Sequence, residues 1–110
     1  MATNIFLHGI TDFIILFLLS SQDHYIYEIS NMITQQSNGK ISISSNTIYS
    51  AIYRLEKLGY VSDYAKLVGK RRTRVYYHLE DKGRKHLAEL LQKYTTTIDG
   101  VTSILNKLSN

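Results

Sequence analysis

The spacing of apolar residues changes at Gly59, and this change constrains the fold more than any other feature of the chain. Before Gly59, apolar residues recur at helical spacing over residues 45–58. After it, residues 60–65 and 74–79 are rich in aromatic and β-branched side chains and alternate as β-strands do. Because a left-handed glycine commonly ends a helix, the pattern predicts a helix followed directly by a β-hairpin.

The preceding residues predict two more helices and a short extended segment. Residues 7–20 are almost wholly apolar, as in a helix buried on most sides. Isoleucines at helical spacing predict a second helix, with Asp23 as its N-cap and an end near Ser37. Ile41 and Ile43 flank a serine, as in a very short strand. This order is that of a winged helix-turn-helix, so we predict a mainly α fold with a small β-hairpin wing, in the α+β class.

Basic residues are concentrated in the later part of the chain. Residues 1–39 contain no Lys or Arg, and all 13 basic residues lie in 40–110. Five surround the predicted turn of the hairpin, between the two strands or at their ends: Lys66, Lys70, Arg71, Arg72 and Arg74. With a net charge of +4, this distribution indicates a polyanionic partner, most often nucleic acid, although such clusters also occur on ordinary solvated surfaces.

The third predicted helix carries small polar residues, tyrosines and cations opposite its apolar face. Asn bonds adenine edges, Arg bonds guanine edges, and hydroxyls bond phosphates or bases. We therefore predict contacts to double-stranded DNA, the alternative being a solvated helix face. The predicted helix contacts are Ser45, Asn46, Thr47, Tyr49, Ser50, Tyr53 and Arg54. Ser44 or Ser45 is expected to cap the helix.

In the wing, we predict phosphate contacts that supply affinity rather than discrimination between sequences. The predicted wing contacts are Lys70, Arg71, Arg72 and Arg74. Arg74 has an alternative, which is an ion pair with Asp63 across the hairpin.

A heptad seam runs along the last predicted helix, which begins near Asp81. Its apolar residues are spaced alternately four and three apart: Leu87, Leu91, Tyr94, Ile98, Val101, Leu105 and Leu108. This spacing predicts pairing of helices in a dimer, the alternative being a helix packed on its own domain. We expect a winged-helix DNA-binding domain at 1–80 and a dimerisation helix at 81–110 that bends or frays near Gly100. Two paired domains predict a palindromic operator.

Four segments of the chain carry the pattern of a known family. Thr47–Tyr49 is similar to a Thr-Leu-Tyr motif, and Arg54–Val61 to an Arg-Leu-Glu-Lys-x-Gly-x-Ile motif. Arg74–Gly83 is similar to an Arg-x-x-Tyr-Tyr-x-Leu-Thr-x-x-Gly run, and Tyr25–Ile29 to a His-Gly-Tyr-Glu-Ile motif. Together these segments resemble the PadR family of bacterial transcriptional repressors over about residues 10–90.

The chain departs from the family at three places. Tyr25–Ile26 replaces His-Gly, and Ser50 stands where Pro is usual. Glu80 replaces the Thr that caps the last helix, a role that we expect Asp81 to take over. These changes affect packing and capping more than DNA contact.

The resemblance implies a homodimer of the short class, with one C-terminal helix that packs against the partner together with the first helix. On that basis Phe13 and Phe17 join the predicted dimer interface. The resemblance also implies repression of nearby genes, relieved in some members by an aromatic or lipophilic ligand. For a small aromatic effector the predicted pocket residues are Phe6, Phe13, Phe17 and Tyr94, with core packing as their alternative role.

Other chemistries find little support in the sequence. There is no cysteine, which excludes disulfides, thiol catalysis and cysteine-bound zinc. The four histidines lack metal-ligand spacing, and no phosphate loop or nucleophile motif occurs, so we expect no enzyme activity, metal or cofactor. The apolar run at 13–19 is too short for a membrane span and no basic residue precedes it, so a cytoplasmic protein is expected.

Two other functions remain open. One is a winged helix used as a protein-interaction module, such as an antirepressor or a scaffold. The other is binding of single-stranded nucleic acid, in which exposed tyrosines stack on bases.

Overall fold

A computed structural model describes residues 4–7 and 9–109 as four α-helices and one β-hairpin. This confirms the predicted α+β class and its winged-helix order. A 3-10 helix at Ile5–Leu7 precedes the first α-helix. The remaining elements are α1 (Thr11–Leu19), α2 (Ile26–Gln36), α3 (Ser45–Lys57), β1 (Val61–Val68), β2 (Arg72–Leu79) and α4 (Asp81–Leu108).

The core lies where α1, α2 and α3 meet the base of the hairpin. As its apolar sequence predicts, α1 is enclosed on several sides, and Ile15 and Leu16 are completely buried. The hairpin contributes its first and last residues, and α4 contributes its second turn, so the core ties all the elements into one unit. The core residues are Ile15, Leu16, Leu19, Ile29, Ile33, Ile43, Ile48, Ala51, Ile52, Leu55, Val61, Tyr77, Leu79 and Leu87.

The hairpin is longer and tighter than the sequence pattern suggests. Its antiparallel register runs from Val61 opposite Leu79 to Val68 opposite Arg72, which leaves only residues 69–71 for the turn. Gly69 has a φ of +73°, a left-handed conformation that suits a short turn. The predicted strands end at 65 and begin at 74, because the cations at 66–72 resemble a loop in composition. Two of these cations, Lys66 and Arg72, instead lie on the paired strands.

Two predictions about the segments before and after α2 are wrong. Ile41 and Ile43 form no strand; the segment is irregular, and the Ser30 hydroxyl donates to the Ile43 carbonyl at 2.8 Å. The isolated bridge to the hairpin comes instead from His24, whose carbonyl accepts from the Tyr77 amide at 2.9 Å. Asp23 does not cap α2, because the N-cap residue is Tyr25 and no side chain caps that end.

The C-terminal helix α4 leaves the body of the protein. Leu87 and Leu90 pack against the core, but residues 91–109 are all exposed, and the molecule extends 62 Å along its longest axis. The helix is continuous through Gly100, so the predicted fraying does not occur there. Its N-cap is Glu80 and makes no side-chain cap bond, and Asp81 is the first helical residue rather than a replacement cap.

Within the part of the chain that the structure describes, no helix combines the length and the apolar character needed to cross a bilayer.

Candidate nucleic-acid interface

One face of α3 is buried and the other is open to solvent, as the sequence pattern predicts. The Ser44 hydroxyl accepts from the Thr47 amide at 3.2 Å, so of the two candidate caps it is Ser44 that caps the helix. Gly59, with a φ of +80°, follows the other end. Between them the buried face fixes the rotation of the helix about its axis. The exposed face is formed by Asn46, Thr47, Tyr49, Ser50, Tyr53 and Arg54, with Ser45 half-buried beside it.

The two exposed tyrosines are the largest side chains on this face. Tyr49 is 58% exposed and Tyr53 is 54% exposed. Lys57 lies over the Tyr53 ring, with its Nζ 4.5 Å from the ring centroid. The face therefore offers hydroxyls, one amide and two cations on a rigid helix, which are groups that can bond base edges and phosphates.

Arg54 is not free on this face. Its Nη2 donates to Asp12 Oδ1 at 2.7 Å, and this ion pair joins α3 to the first turn of α1. The Arg54 side chain is 59% exposed and that of Asp12 is 31% exposed, so solvent weakens the pair. Sequence reasoning did not detect it, because the partners lie 42 residues apart.

The wing presents its cations in two different settings. Lys70 and Arg71 lie in the turn and Arg72 begins β2, and all three are exposed. Arg74 is half-buried, and its guanidinium carbon lies 4.0 Å from the centroid of the Tyr25 ring. The alternative pairing of Arg74 with Asp63 does not occur, because Arg74 is opposite Lys66 in the register.

An aromatic cluster that the sequence pattern does not reveal joins the wing to the start of α2. Tyr76 contacts Tyr25 edge-on at 5.5 Å and stacks with Tyr64 at 5.8 Å between ring centroids. The Tyr64 hydroxyl donates to Asp23 at 2.7 Å, and His78 Nδ1 lies 2.8 Å from the same carboxyl group. The strand alternation places residues 64, 76 and 78 on one face of the hairpin, but nothing in the sequence indicates that the start of α2 covers it.

The pKa of Asp23 reflects this cluster. Partial burial acts to raise the pKa of the Asp23 carboxyl, but the hydrogen bonds from Tyr64 and His78 outweigh it and lower the pKa. The same contact raises the pKa of Tyr64, since its ionisation would remove the proton that it donates to Asp23. Asp23 is therefore ionised at neutral pH and holds the wing against the body of the protein.

A groove of about 540 Å³ separates α3 from the other face of the hairpin. Two acidic side chains, Glu56 and Asp63, meet in this groove. Desolvation raises the pKa of Glu56, and the hydrogen bond with Asp63 and the charge of Asp63 raise it further, to about 7. Tyr77 lines the same groove, and burial followed by the charges of Glu56 and Asp63 raises its pKa. Tyr49 and Tyr53 form the α3 side of the groove, so the exposed helix face and the hairpin are direct neighbours.

The predicted dimer residues are mostly exposed in the single chain. Leu87 packs in the chain's own core, so the exposed stripe begins one turn later, and Phe13 is half-buried against that core. The stripe residues are each between 41% and 82% exposed: Leu91, Tyr94, Ile98, Val101, Leu105 and Leu108. Phe17 of α1 is 53% exposed, and its ring centroid lies 6.3 Å from that of Phe13.

Two of the four predicted pocket residues lie together. The Phe13 and Tyr94 rings stack at 5.2 Å and line a groove of about 240 Å³ between the start of α1 and α4. Phe17 contacts Phe13 but does not line this groove, and Phe6 is 79% exposed outside it.

The described histidines have partners other than metal ions. His24 contacts Glu28, His78 contacts Asp23, and His86 stacks on Tyr60. In residues 4–7 and 9–109, no three His, Asp or Glu side chains are grouped as metal ligands would be. His8 lies outside the described residues.

Known proteins similar to this chain are transcriptional regulators. A family model described as "Transcriptional regulator PadR-like family" matches residues 15–89. A transcriptional regulator from Clostridium thermocellum is 32% identical over 94% of this chain and 97% of its own, with a TM-score of 0.83. A PadR-like transcriptional regulator from Bacillus cereus is 26% identical over 93% of this chain and 97% of its own, with a TM-score of 0.81.

A third solved structure contains DNA. Bacillus subtilis PadR in complex with operator DNA is 22% identical over 74% of this chain and 46% of its own, with a TM-score of 0.69. At this identity the likeness concerns the fold alone, and the chain spans less than half of that protein.

Proposed function

The chain belongs to the PadR-like family of transcriptional regulators, and we propose that it acts as a homodimeric repressor that binds a palindromic operator. Family membership confirms the expectation of a transcriptional regulator rather than an enzyme. The observation that carries the finer proposal is the juxtaposition of the exposed α3 face with a hairpin whose tip bears three exposed cations. We place this activity in the bacterial cytoplasm, where operator DNA is found.

In this proposal α3 is the recognition helix in the major groove. Asn46, Tyr49 and Ser50 lie in its first half, which enters most deeply, so they contact base edges. Ser45 and Thr47 flank the N-terminus and suit phosphate contacts, as do Tyr53 and Arg54 further along. Arg54 must share its guanidinium with Asp12 or exchange that partner for DNA.

The wing supplies affinity that is independent of sequence. Lys70, Arg71 and Arg72 have no ion-pair partner among the described residues, so their charges are available for phosphates. Arg74 is already engaged with the Tyr25 ring, and we assign it a smaller part than the other three.

The exposed stripe of α4 supports a homodimer. Six large apolar side chains, from Leu91 to Leu108, follow heptad spacing on α4, and each is at least 41% exposed although Tyr94 also stacks on Phe13. Phe17 of α1 is exposed and extends this apolar surface, and the half-buried Phe13 links it to Tyr94. Pairing along the stripe presents two recognition helices about one turn of DNA apart, roughly 34–36 Å, which matches a palindromic operator.

The groove beside Phe13 and Tyr94 is the candidate site for an aromatic effector. This groove is apolar and lies next to the stripe, so a planar aromatic ligand could stack there when the dimer closes over it. Calorimetric titration of the dimer with a panel of planar aromatics tests this. A panel that produces no heat of binding would leave Phe13 and Tyr94 with a packing role alone.

Selection of bound sequences from a random duplex pool tests the main proposal. We expect a palindrome with two half-sites and a fixed spacing. Recovery of a single half-site, or of no consensus, would contradict the dimeric arrangement.

The competing function is a protein-interaction module. Affinity for random duplex DNA, measured at rising salt, separates the two functions, because neutralised phosphates release counterions and make binding strongly salt-dependent. A steep loss of affinity supports DNA binding by the wing. A flat response, or no binding, supports a protein partner, and a clear preference for single-stranded over duplex DNA would support the third function.

A further inference from the structure

Five residues connect the end of α3 to the start of α4, and we call this the α3–α4 joint: Leu58, Tyr60, Lys82, Gly83 and His86. We propose that the joint fixes the direction in which α4 leaves the recognition helix, and that Gly83 thereby sets the spacing between operator half-sites that the dimer accepts. The inference rests on the proposed dimeric operator binding and adds to it the residues that determine the spacing.

Gly83 is needed for space rather than for backbone conformation. It is buried in the first turn of α4, and its φ is not among the positive values. A Cβ atom at this position would lie 2.2 Å from the Tyr60 carbonyl oxygen and 2.6 Å from Leu79 Cδ1. The first of these atoms is backbone and cannot rotate away, so any larger residue must push α4 away from residue 60.

Hydrogen bonds across the joint hold the same two segments together. The Tyr60 carbonyl accepts from the Glu80 amide at 2.9 Å, and the Tyr60 amide donates to the Leu55 carbonyl of α3 at 3.0 Å. Lys82 Nζ donates to the Leu58 carbonyl at 2.9 Å, so a side chain of α4 satisfies a carbonyl at the end of α3. The bond to Leu55 holds residue 60 on the end of α3, and the bonds from Glu80 and Lys82 then restrain the angle between α3 and α4.

A ring stack completes the joint. The Tyr60 and His86 rings are 4.3 Å apart between centroids and inclined by only 7°. Lys82 Nζ also lies 5.4 Å from the centroid of the Tyr60 ring. Lys82 and His86 are one helical turn apart on α4, and both contact the Tyr60 ring. These two contacts resist any tilt of α4 away from that ring.

The distance from the joint to the DNA-contacting end of α3 amplifies any change of angle at the joint. Asn46 lies about 18 Å along α3 from Leu58 at 1.5 Å per residue. With the stripes paired, α4 is held and the rest of the domain turns about the joint, so a tilt of about 10° moves Asn46 by roughly 3 Å, close to the ~3.4 Å rise of one base pair. A small change at Gly83 is therefore large enough to alter the preferred spacing by a base pair.

The test uses the full chain with Gly83→Ala and, as a milder change, His86→Ala, which removes the ring stack without crowding the backbone. Gly100→Ala is the matched control, because a Cβ there has no atom within 4 Å. The chain has no cysteine, so Gln35→Cys on the exposed side of α2 gives one spin label per protomer. The distance between the two labels of the free dimer is measured by pulsed electron resonance, and each variant is then titrated with operators whose spacing differs by one or two base pairs.

We expect both joint variants to remain dimers, to shift or broaden the label distance by several ångströms, and to lose about tenfold of their preference for the wild-type spacing. Gly100→Ala should match the parent in both measurements. Unchanged label distances and an unchanged spacing preference in His86→Ala and in any folded Gly83→Ala protein would overturn the inference. Equal weakening at every spacing would overturn it too, since that indicates a loss of stability alone. Because the label distance needs no DNA, a dimer that shifts its distance but prefers no spacing would instead contradict the proposed operator binding.

Discussion

Arg54 shows how much the role of a single residue depends on a partner that is distant in sequence. Its spacing places it on the shoulder of the exposed face of α3, where a guanidinium suits DNA. The fold also brings Asp12 within 2.7 Å of it, from an element that sequence patterning treats only as a buried helix. The helical spacing therefore predicted on which side of α3 Arg54 lies. The pairing of Arg54 with Asp12, which competes with DNA for the guanidinium, could be found only from the packing of α1 on α3.

We predict that Asp12→Asn strengthens DNA binding. Loss of the carboxylate frees the Arg54 guanidinium, and since an exposed ion pair is worth up to about 1 kcal/mol, affinity should rise by no more than roughly fivefold. Fluorescence anisotropy with a labelled duplex at low salt measures this effect. Asp99→Asn, on the exposed part of α4, removes the same charge far from α3. Equal gains in the two variants would mean that net charge, and not the release of Arg54, is responsible.

The Glu56 carboxyl group gives the protein a predicted pH dependence of stability. Its pKa is about 7 in the folded chain and near the ordinary 4.5 when unfolded, so between these values the folded chain keeps a proton that the unfolded chain releases. The free energy of unfolding should therefore fall as the pH rises through this window, and level off above it.

Glu56→Gln should remove most of this decline, because an amide cannot lose that proton and does not repel Asp63. Urea unfolding at several values between pH 4.5 and pH 7 measures the slope. Glu89→Gln, which alters an exposed carboxyl group on α4, is the control and should retain the parent slope. A Glu56→Gln protein with the same slope as the parent would show that the acidic pair is not its source.

At the scale of elements, sequence patterning located the helices and the hairpin but not their local contacts. The apolar period, Ser44 and Gly59 define α3 because a helix and its caps depend on neighbours along the chain. The supposed strand at Ile41 and Ile43 failed because its alternation has no strand beside it, and His24 takes the bridge to the hairpin instead. Such pairing is decided by which segments the folded chain places side by side.

Substitutions in the wing and in α3 are predicted to affect DNA binding differently. Combined alanine substitution of Lys70, Arg71 and Arg72 should weaken binding to the operator and to random duplex by the same factor. It should also reduce the salt slope by about 0.9 for each phosphate that the wing no longer neutralises. Asn46→Ala should weaken operator binding while leaving affinity for random duplex unchanged. Filter binding to both duplexes over a salt series provides the measurement, and a loss of discrimination in the wing variant would refute the division.

At the scale of the whole molecule, the 62 Å length reflects a helix that extends beyond its own domain. The heptad spacing identified this helix from sequence alone, because exposed apolar residues at coiled-coil positions are visible in one dimension. Its attachment was not predictable. Gly83 looks in the sequence like a weak point in a helix, whereas in the fold it is the place where α4 meets the Tyr60 backbone.

Leu91→Glu is predicted to abolish dimerisation and operator binding together. A carboxylate at the first exposed position of the apolar seam, between Leu87 and Tyr94, must be desolvated without a partner when the helices pair, which costs several kcal/mol and exceeds what one Leu side chain contributes. Gln92→Glu adds the same charge on the neighbouring, non-seam position and should leave the dimer intact. Analytical ultracentrifugation and operator titration of both variants measure the outcome. A Leu91→Glu monomer that still bound the full palindrome tightly would disprove the coupling.

Asp12 and Phe13 are consecutive residues of α1, yet one contacts the recognition helix and the other contacts α4. Inserting or deleting a single residue between Phe13 and the buried Ile15 would rotate both side chains by about 100° relative to the buried face of α1 and break both contacts in one event. We therefore expect length variation among natural and engineered relatives to avoid α1. It should accumulate instead at the exposed tip of the wing and beyond the last turns of α4, where an added residue disturbs no buried contact.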